Sequence, residues 1–161
     1  MIKRFFSLCI YVAAISIIFI MLGKWLLTGI GYWRDTHFSC DTKLIVKKKD
    51  DTISLVMTYF LNGDNGFVVI KGQLEREKRQ YNVSRKTYFS MRKTGDLLRV
   101  KSTLTIKTPA GDNALMSDLK NILPAFYLEK DMILEITVEP QGWNGYLFST
   151  GYVPSFYCRR T

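Results

Sequence analysis

Eighteen consecutive residues, Phe5 to Leu22, carry no charge, and eleven of them are Leu, Ile, Val or Phe. As a helix the run covers about 27 Å, and Gly23, Trp25, Leu26 and Leu27 lengthen it to the roughly 30 Å of a bilayer core. At about 0.3 to 0.6 kcal/mol per apolar residue, insertion is favoured by roughly 3 to 7 kcal/mol. The expected anchor is residues 5–27, carried by Phe5, Leu8, Ile10, Val12, Ile15, Ile18, Phe19 and Leu22, with residues 1–4 in the cytoplasm. Lys24 would snorkel to the headgroups beside Trp25. A cleaved signal peptide shares the Lys3-Arg4 start but needs a shorter apolar core and small residues before the cut, which Met21-Leu22-Gly23-Lys24-Trp25 does not supply. A buried soluble helix would show a polar stripe, and none runs through this segment.

About 125 residues remain, enough for one domain. Four of the 23 basic residues (Lys3, Arg4, Lys24, Arg34) precede Asp35, and all 14 acidic residues lie from Asp35 onward, so that remainder has a net charge of +5. The excess is dispersed. It reads as a solvated surface with mild attraction to anionic lipid heads, not as a nucleic-acid site.

Basic residues flank the apolar run on both sides, so charge alone does not orient it. The cysteines add information. Cys9 lies inside the run, whereas Cys40 and Cys158 bracket everything after it, a placement that suits a bridge between first and last strands. Two free thiols are the competing reading. A bridge persists in oxidising compartments, so the domain is expected outside the cytoplasm, in the periplasm if the source is a Gram-negative bacterium.

Thr28 to Thr36, with two glycines and two aromatics, reads as an interfacial linker (residues 28–36) before a β domain over 37–161. From Phe38 the apolar period becomes two. Phe38-Cys40-Thr42-Leu44-Val46 gives a first strand and Ile53-Leu55-Met57-Tyr59-Leu61 a second, returned by Asn62-Gly63-Asp64-Asn65-Gly66. The third begins at Phe67, with Gly72 as a bulge or bend. Tyr81 to Met91 and Leu98-Val100-Ser102-Leu104-Ile106 continue the pattern. One segment breaks it. Asp112 or Asn113 is placed to cap a helix with Leu115, Leu119 and Ile122 or Leu123 on one face, stopped by Pro124, which lies on the sheet or plugs it. Met132 to Val138, Tyr146 to Val153 and Ser155 to Arg159 are the last strands. The expected fold is mainly β: a curled antiparallel sheet or small lipocalin-like barrel of seven to eight strands around one short helix. A small barrel holds a packed core or one apolar ligand. Both remain open, and the residues placed to line a cavity are Leu55, Met57, Tyr59, Val100, Leu104, Leu119, Leu134, Ile136 and Phe148.

The chain has one histidine, His37, and no paired-cysteine zinc spacing, glycine-rich phosphate loop or nucleophile elbow. Glu135 and Glu139 fall on the outward phase of a strand. The expectation is a non-enzyme without cofactor or metal.

The apolar leader, the Phe38-Ser39-Cys40 start, the Asn62-Gly63 and Gly66 turn, Ile122-Leu123-Pro124-Ala125-Phe126, and the ending Phe148-Ser149-Thr150-Gly151-Tyr152-Val153-Pro154-Ser155-Phe156-Tyr157-Cys158 together resemble the FidL-like (YqeJ-type) inner-membrane proteins. These are similar in layout to ToxS and PsaF. The resemblance spans nearly the whole chain, and the terminal motif is its most specific part. It implies a partner, a single-pass membrane transcription regulator with a cytoplasmic winged-helix domain, which this protein would bind and stabilise or modulate from the periplasmic side of the inner membrane. It also implies a possible apolar ligand such as a bile salt. The alternative is a stand-alone periplasmic carrier or sensor of an apolar ligand.

Overall fold

The computed structural model describes the backbone of residues 2–48, 51–151 and 153–161, and the side chains from 15 onward except those at 32, 34, 35, 49, 50, 152 and 154. The chain forms two units, Met1–Arg34 and Asp35–Thr161.

In the first unit, helix α1 spans Ile2–Thr36. It therefore runs on through residues 28–36, where a linker was expected. No proline interrupts that segment, and Thr28 Oγ1 satisfies its donor within the helix, on the Lys24 and Trp25 carbonyls at 3.0 and 2.9 Å. Ile15, Ile18, Phe19 and Leu22 are 53 to 71% exposed. The side chains of Phe5, Leu8, Ile10 and Val12 lie outside the described residues. Among the described residues no helix is long and apolar enough to cross a membrane.

The second unit is a closed antiparallel barrel whose eight strands pair in sequence order. They are β1 (His37–Lys48), β2 (Asp51–Asn62), β3 (Asn65–Arg76), β4 (Arg79–Thr94), β5 (Leu97–Lys107), β6 (Ile133–Gln141), β7 (Gly145–Thr150) and β8 (Val153–Arg160). Strict alternation drives this. Phe38, Cys40 and Thr42, then Ile53 to Leu61 at every second position, and Val83 to Met91 likewise, are buried while their neighbours are not. Between β5 and β6 the chain dips into the barrel as α2 (Met116–Lys120) and a single 3-10 turn (Ala125–Tyr127), burying Leu119, Leu123, Phe126, Tyr127 and Leu128. This plug and the inward strand faces form one core.

Three local expectations change. The helix is shorter than its apolar spacing suggests. Asp112 and Asn113 do not cap it, because Asp112 accepts from Arg85 and Asn113 Oδ1 accepts the Asn82 amide at 2.6 Å. Leu115 precedes the first helical turn and is 60% exposed. Gly72 is not a bulge, since the registers on both of its flanks run unbroken there. A Cβ at Gly72 would sit 2.0 Å from the Ser54 carbonyl oxygen, so the residue serves close approach of β2. Finally, Leu104 is on the outside. The register shifts at Tyr88/Phe89, pairing Tyr88 with Leu104 but Phe89 with Ser102, and this reverses the phase of β5 after Ser102. Leu104 is left 50% exposed.

Candidate functional site

The barrel closes unevenly. β1 pairs with β2 along its whole length but with β8 only at Cys40↔Arg160 and Asp41↔Arg159. β6 gives its first half, Ile133 to Thr137, to β5 and its second half, Thr137 to Gln141, to β7. The β7–β8 hairpin is thus too short to fill the wall between β6 and β1. Among the described residues, the outer edge of β1 from Thr42 to Lys48 and the facing edge of β6 from Ile133 to Ile136 have no strand partner. They bound a notch.

Its floor is apolar. A pocket of about 160 Å3 opens there, lined by Leu44 of β1, Met57 of β2, Leu134 and Ile136 of β6, Phe148 of β7, Phe156 of β8, and Ile122, Leu123, Pro124 and Tyr127 of the plug; Ser149, Thr150 and Ser155 add hydroxyls. Of the residues expected to line a cavity, Met57, Leu134, Ile136 and Phe148 meet here. Tyr59 and Val100 border a much smaller gap deeper in the barrel, together with Leu134, Ile136 and Phe148. Leu55 and Leu119 are fully buried in packed core. Leu104 takes no part.

The walls behind the pocket are held by stacked rings. Phe148 stacks on Phe156 at 4.9 Å and lies 5.1 Å from Tyr59, and Phe38 stacks on Tyr146 at 3.8 Å. Tyr59 and Tyr127 share a hydrogen bond of 2.8 Å between buried hydroxyls. Burial pushes the Tyr127 hydroxyl up to about 12, against the opposing hydrogen bond from Tyr59. Burial, then the Tyr127 charge and hydrogen bond, also push Tyr59 well above the ordinary phenol value. Both phenols are therefore neutral across the physiological range, one donating to the other.

Two devices fasten the notch at its ends. A disulfide joins Cys40 to Cys158, with Cα atoms 5.4 Å apart, beside the only β1–β8 pairs. Both sulfur-bearing residues are fully buried. The plug is pinned from the other side. Asp112 Oδ2 accepts from Arg85 Nε at 2.7 Å and from the Ser84 amide at 3.1 Å, and Arg85 Nη2 donates to the Ala114 carbonyl at 3.3 Å. The Arg85 and Asp112 side chains are 2% and 0% exposed. Burial alone would raise the Asp112 carboxyl, but the Arg85 and Ser84 hydrogen bonds and the Arg85 and Lys107 charges hold it below the usual carboxylate value. Lys48 Nζ adds a bond of 2.6 Å to the Asn121 carbonyl, tying the end of β1 to the plug.

His37 lies outside the notch; its Nδ1 is 3.1 Å from Thr36 Oγ1. Among the described residues no group of three His, Cys, Asp or Glu is placed to hold a metal. Glu135 pairs with Arg99 on the outer surface, and Glu139 is exposed. Sequence reasoning found four of the thirteen residues that line the pocket. Among the apolar ones it missed Leu44 and Phe156, on the first and last strands, and Ile122 to Pro124 and Tyr127 on the plug, because alternation along one strand encodes neither barrel closure nor where the plug sits.

Residues 37–158 match one protein family, described as the YqeJ C-terminal domain. No curated protein matches the chain.

Proposed function

Starting from the fact that this chain belongs to the YqeJ C-terminal domain family, we propose that it is a membrane-anchored periplasmic accessory protein that binds, and so stabilises or modulates, a single-pass membrane transcription regulator. The notch carries this reading. An unpaired strand edge beside an apolar socket is what strand addition requires: main-chain hydrogen bonds supply affinity and an alternate side chain in the socket supplies specificity. An edge left bare in water invites uncontrolled pairing, so a long one is expected to have an intended occupant. The exposed side chains of β1 along this edge include Lys43 and Lys47, which favour acidic residues on the incoming strand. Export is supported by the disulfide. Anchoring is supported by the uncharged run of residues 5–22 and by the exposed Ile15, Ile18, Phe19 and Leu22 on α1.

Uptake of an apolar ligand ranks second. The pocket of about 160 Å3 is close to the roughly 150 Å3 that holds benzene and well below the roughly 300 Å3 at which drug-sized sites begin. A ligand of bile-salt size would have to displace Ile122 to Pro124, whereas one or two apolar side chains fit without rearrangement.

The test is the half-life of a neighbouring single-pass regulator with and without this protein. Co-expression should protect the regulator from proteolysis, and Cys158→Ser should weaken protection. An unchanged half-life in a deletion strain rules the role out. A bile-salt-dependent rise in melting temperature of the purified protein would favour the carrier instead.

A further inference from the structure

The two ends of the barrel differ in what lies beside their cations. At the end carrying the β3–β4 turn and the plug, Arg76 pairs with Asp51 and Asp118, Lys107 with Asp112, Lys120 with Glu129, and Lys48 with the Asn121 carbonyl, while Lys78 and Arg79 in the turn itself are exposed with no aromatic ring contact or ion pair among the described residues. The opposite end gathers the β2–β3, β4–β5 and β6–β7 turns and the end of β8, and β1 begins there at His37, directly after the last residue of α1. Here Arg92, Arg159 and Arg160 are exposed, and no ion pair among the described residues involves them. The acids at this end are Asp41, which lies opposite Arg159 in the β1–β8 register, Asp64 and the exposed Asp96. Trp143, at the tip of the β6–β7 turn, is 90% exposed, the most exposed large apolar side chain described.

These residues make a shaped surface. Trp143, Asn144, Tyr157, Arg159, Arg160 and Thr161 line a shallow cleft of about 720 Å3. Main-chain bonds fix its frame, from Arg160 N to the Asn144 carbonyl at 2.9 Å and from Thr161 N to the Ser39 carbonyl at 3.2 Å. An indole and a phenol beside two arginines are the side chains that settle at a membrane interface, the rings at headgroup depth and the guanidinium groups on phosphate. An indole left in water at a turn tip gains nothing from the fold; at headgroup depth it does.

We propose that this end of the barrel docks on an anionic phospholipid surface, with Trp143 at headgroup depth and Arg159 and Arg160 on lipid phosphates. The inference rests on the anchored reading above, because α1 then delivers the chain to lipid at the end where β1 begins. Docking restricts how the barrel turns on its tether, and hence which way the notch faces.

The test uses the full chain in nanodiscs. In the Trp25→Phe/Trp33→Phe form, Trp143 is the one tryptophan left. In discs containing phosphatidylglycerol its emission should shift to the blue and be quenched by brominated lipid, and in phosphatidylcholine discs both effects should shrink. Arg159→Gln and Arg160→Gln should each lower the docked-to-undocked ratio about fivefold. Both side chains are exposed and in no ion pair among the described residues, so folding is not at stake. Water-like emission with equal iodide quenching in both lipids overturns the proposal. A companion form keeping only Trp25 separates the two ideas. Quenching of Trp25 but not Trp143 overturns docking and leaves the anchor standing; quenching of neither overturns both.

Discussion

From β1 to β5 each strand runs 11 to 16 residues and meets the next along ten to twelve positions, whereas β6, β7 and β8 have nine, six and eight residues and meet their neighbours over two to six. The long strands make a wall whose backbone is paired almost throughout between β1 and β5, with free stretches on the outer edges of β1 and β5. The short ones make a flap that reaches only part of the way, leaving a bare edge and a socket where the wall would otherwise close. One half of the barrel is thus a nearly continuous sheet, and the other leaves an apolar socket beside an unpaired edge.

The sharpest way to break this contrast is to crowd the backbone in each half. A Cβ at Gly72, in the wall, would meet the Ser54 carbonyl oxygen at 2.0 Å; one at Gly145, in the flap, would meet the Cys158 carbonyl oxygen at 2.3 Å. Overpacking ordinarily costs about 1 to 3 kcal/mol. At Gly72 strands on both flanks forbid relief, so Gly72→Val should leave no folded barrel by circular dichroism. Gly145→Ala should still fold with a lowered melting temperature, since alanine adds a single methyl and β7, at six residues, is the shortest strand and pairs with β6 over only five positions. Equal losses at the two sites would mean that the flap is as rigid as the wall.

Next in size is the disulfide. Cys40 and Cys158 are 118 residues apart, and losing such a bridge costs about 2 to 5 kcal/mol. Cys40→Ser/Cys158→Ser should show fast amide exchange through β7 and β8 while β2 to β4 stay protected. Uniform acceleration would show that the seam supports the whole barrel.

The buried Arg85–Asp112 pair joins the wall to the plug. Asp112→Asn leaves the Arg85 charge uncompensated and should cost about 3 kcal/mol in denaturant titration. The pH dependence has a definite sign. The folded carboxyl value of Asp112 is depressed, so its contribution is complete above the unfolded value of about 3.9 and is lost as pH falls through the folded value. The Tyr127 value is raised to about 12; that contribution is complete below about pH 10 and is lost as pH climbs toward 12. Melting curves across both windows should narrow to the tyrosine limb alone in Asp112→Asn.

The wall was legible from the sequence because alternation is a period-two signal that survives along strands of a dozen residues. Phe38 to Thr42, Ile53 to Leu61 and Val83 to Met91 all point as their spacing says, and Cys40 and Cys158 are bonded as their bracketing positions suggest. What was not legible depends on pairing. The bulge at Tyr88/Phe89 turns Leu104 outward although its own spacing is regular, because register is a property of two strands and no single strand reports it. Asp112 looks like a helix cap from its neighbours and is instead the counter-ion of a residue 27 positions earlier. The notch arises where three short strands fail to cover a gap, and strand length, unlike strand phase, is poorly marked by composition.

The smallest expected change in stability carries the most about function. Ile122 lies half-buried in the pocket floor, so Ile122→Trp should fill the socket outward with a stability change under about 1 kcal/mol. If a partner strand pairs with β1 and seats an apolar side chain there, blocking the socket removes a central contact, and affinity should fall about tenfold or more. Leu104→Ser is the matching change on the wall: an exposed apolar residue on the outer face, remote from the notch lining. It should leave binding unaltered. Should Leu104→Ser weaken regulator binding as much as Ile122→Trp does, the partner grips the finished wall, and the bare edge of β1 would need another explanation.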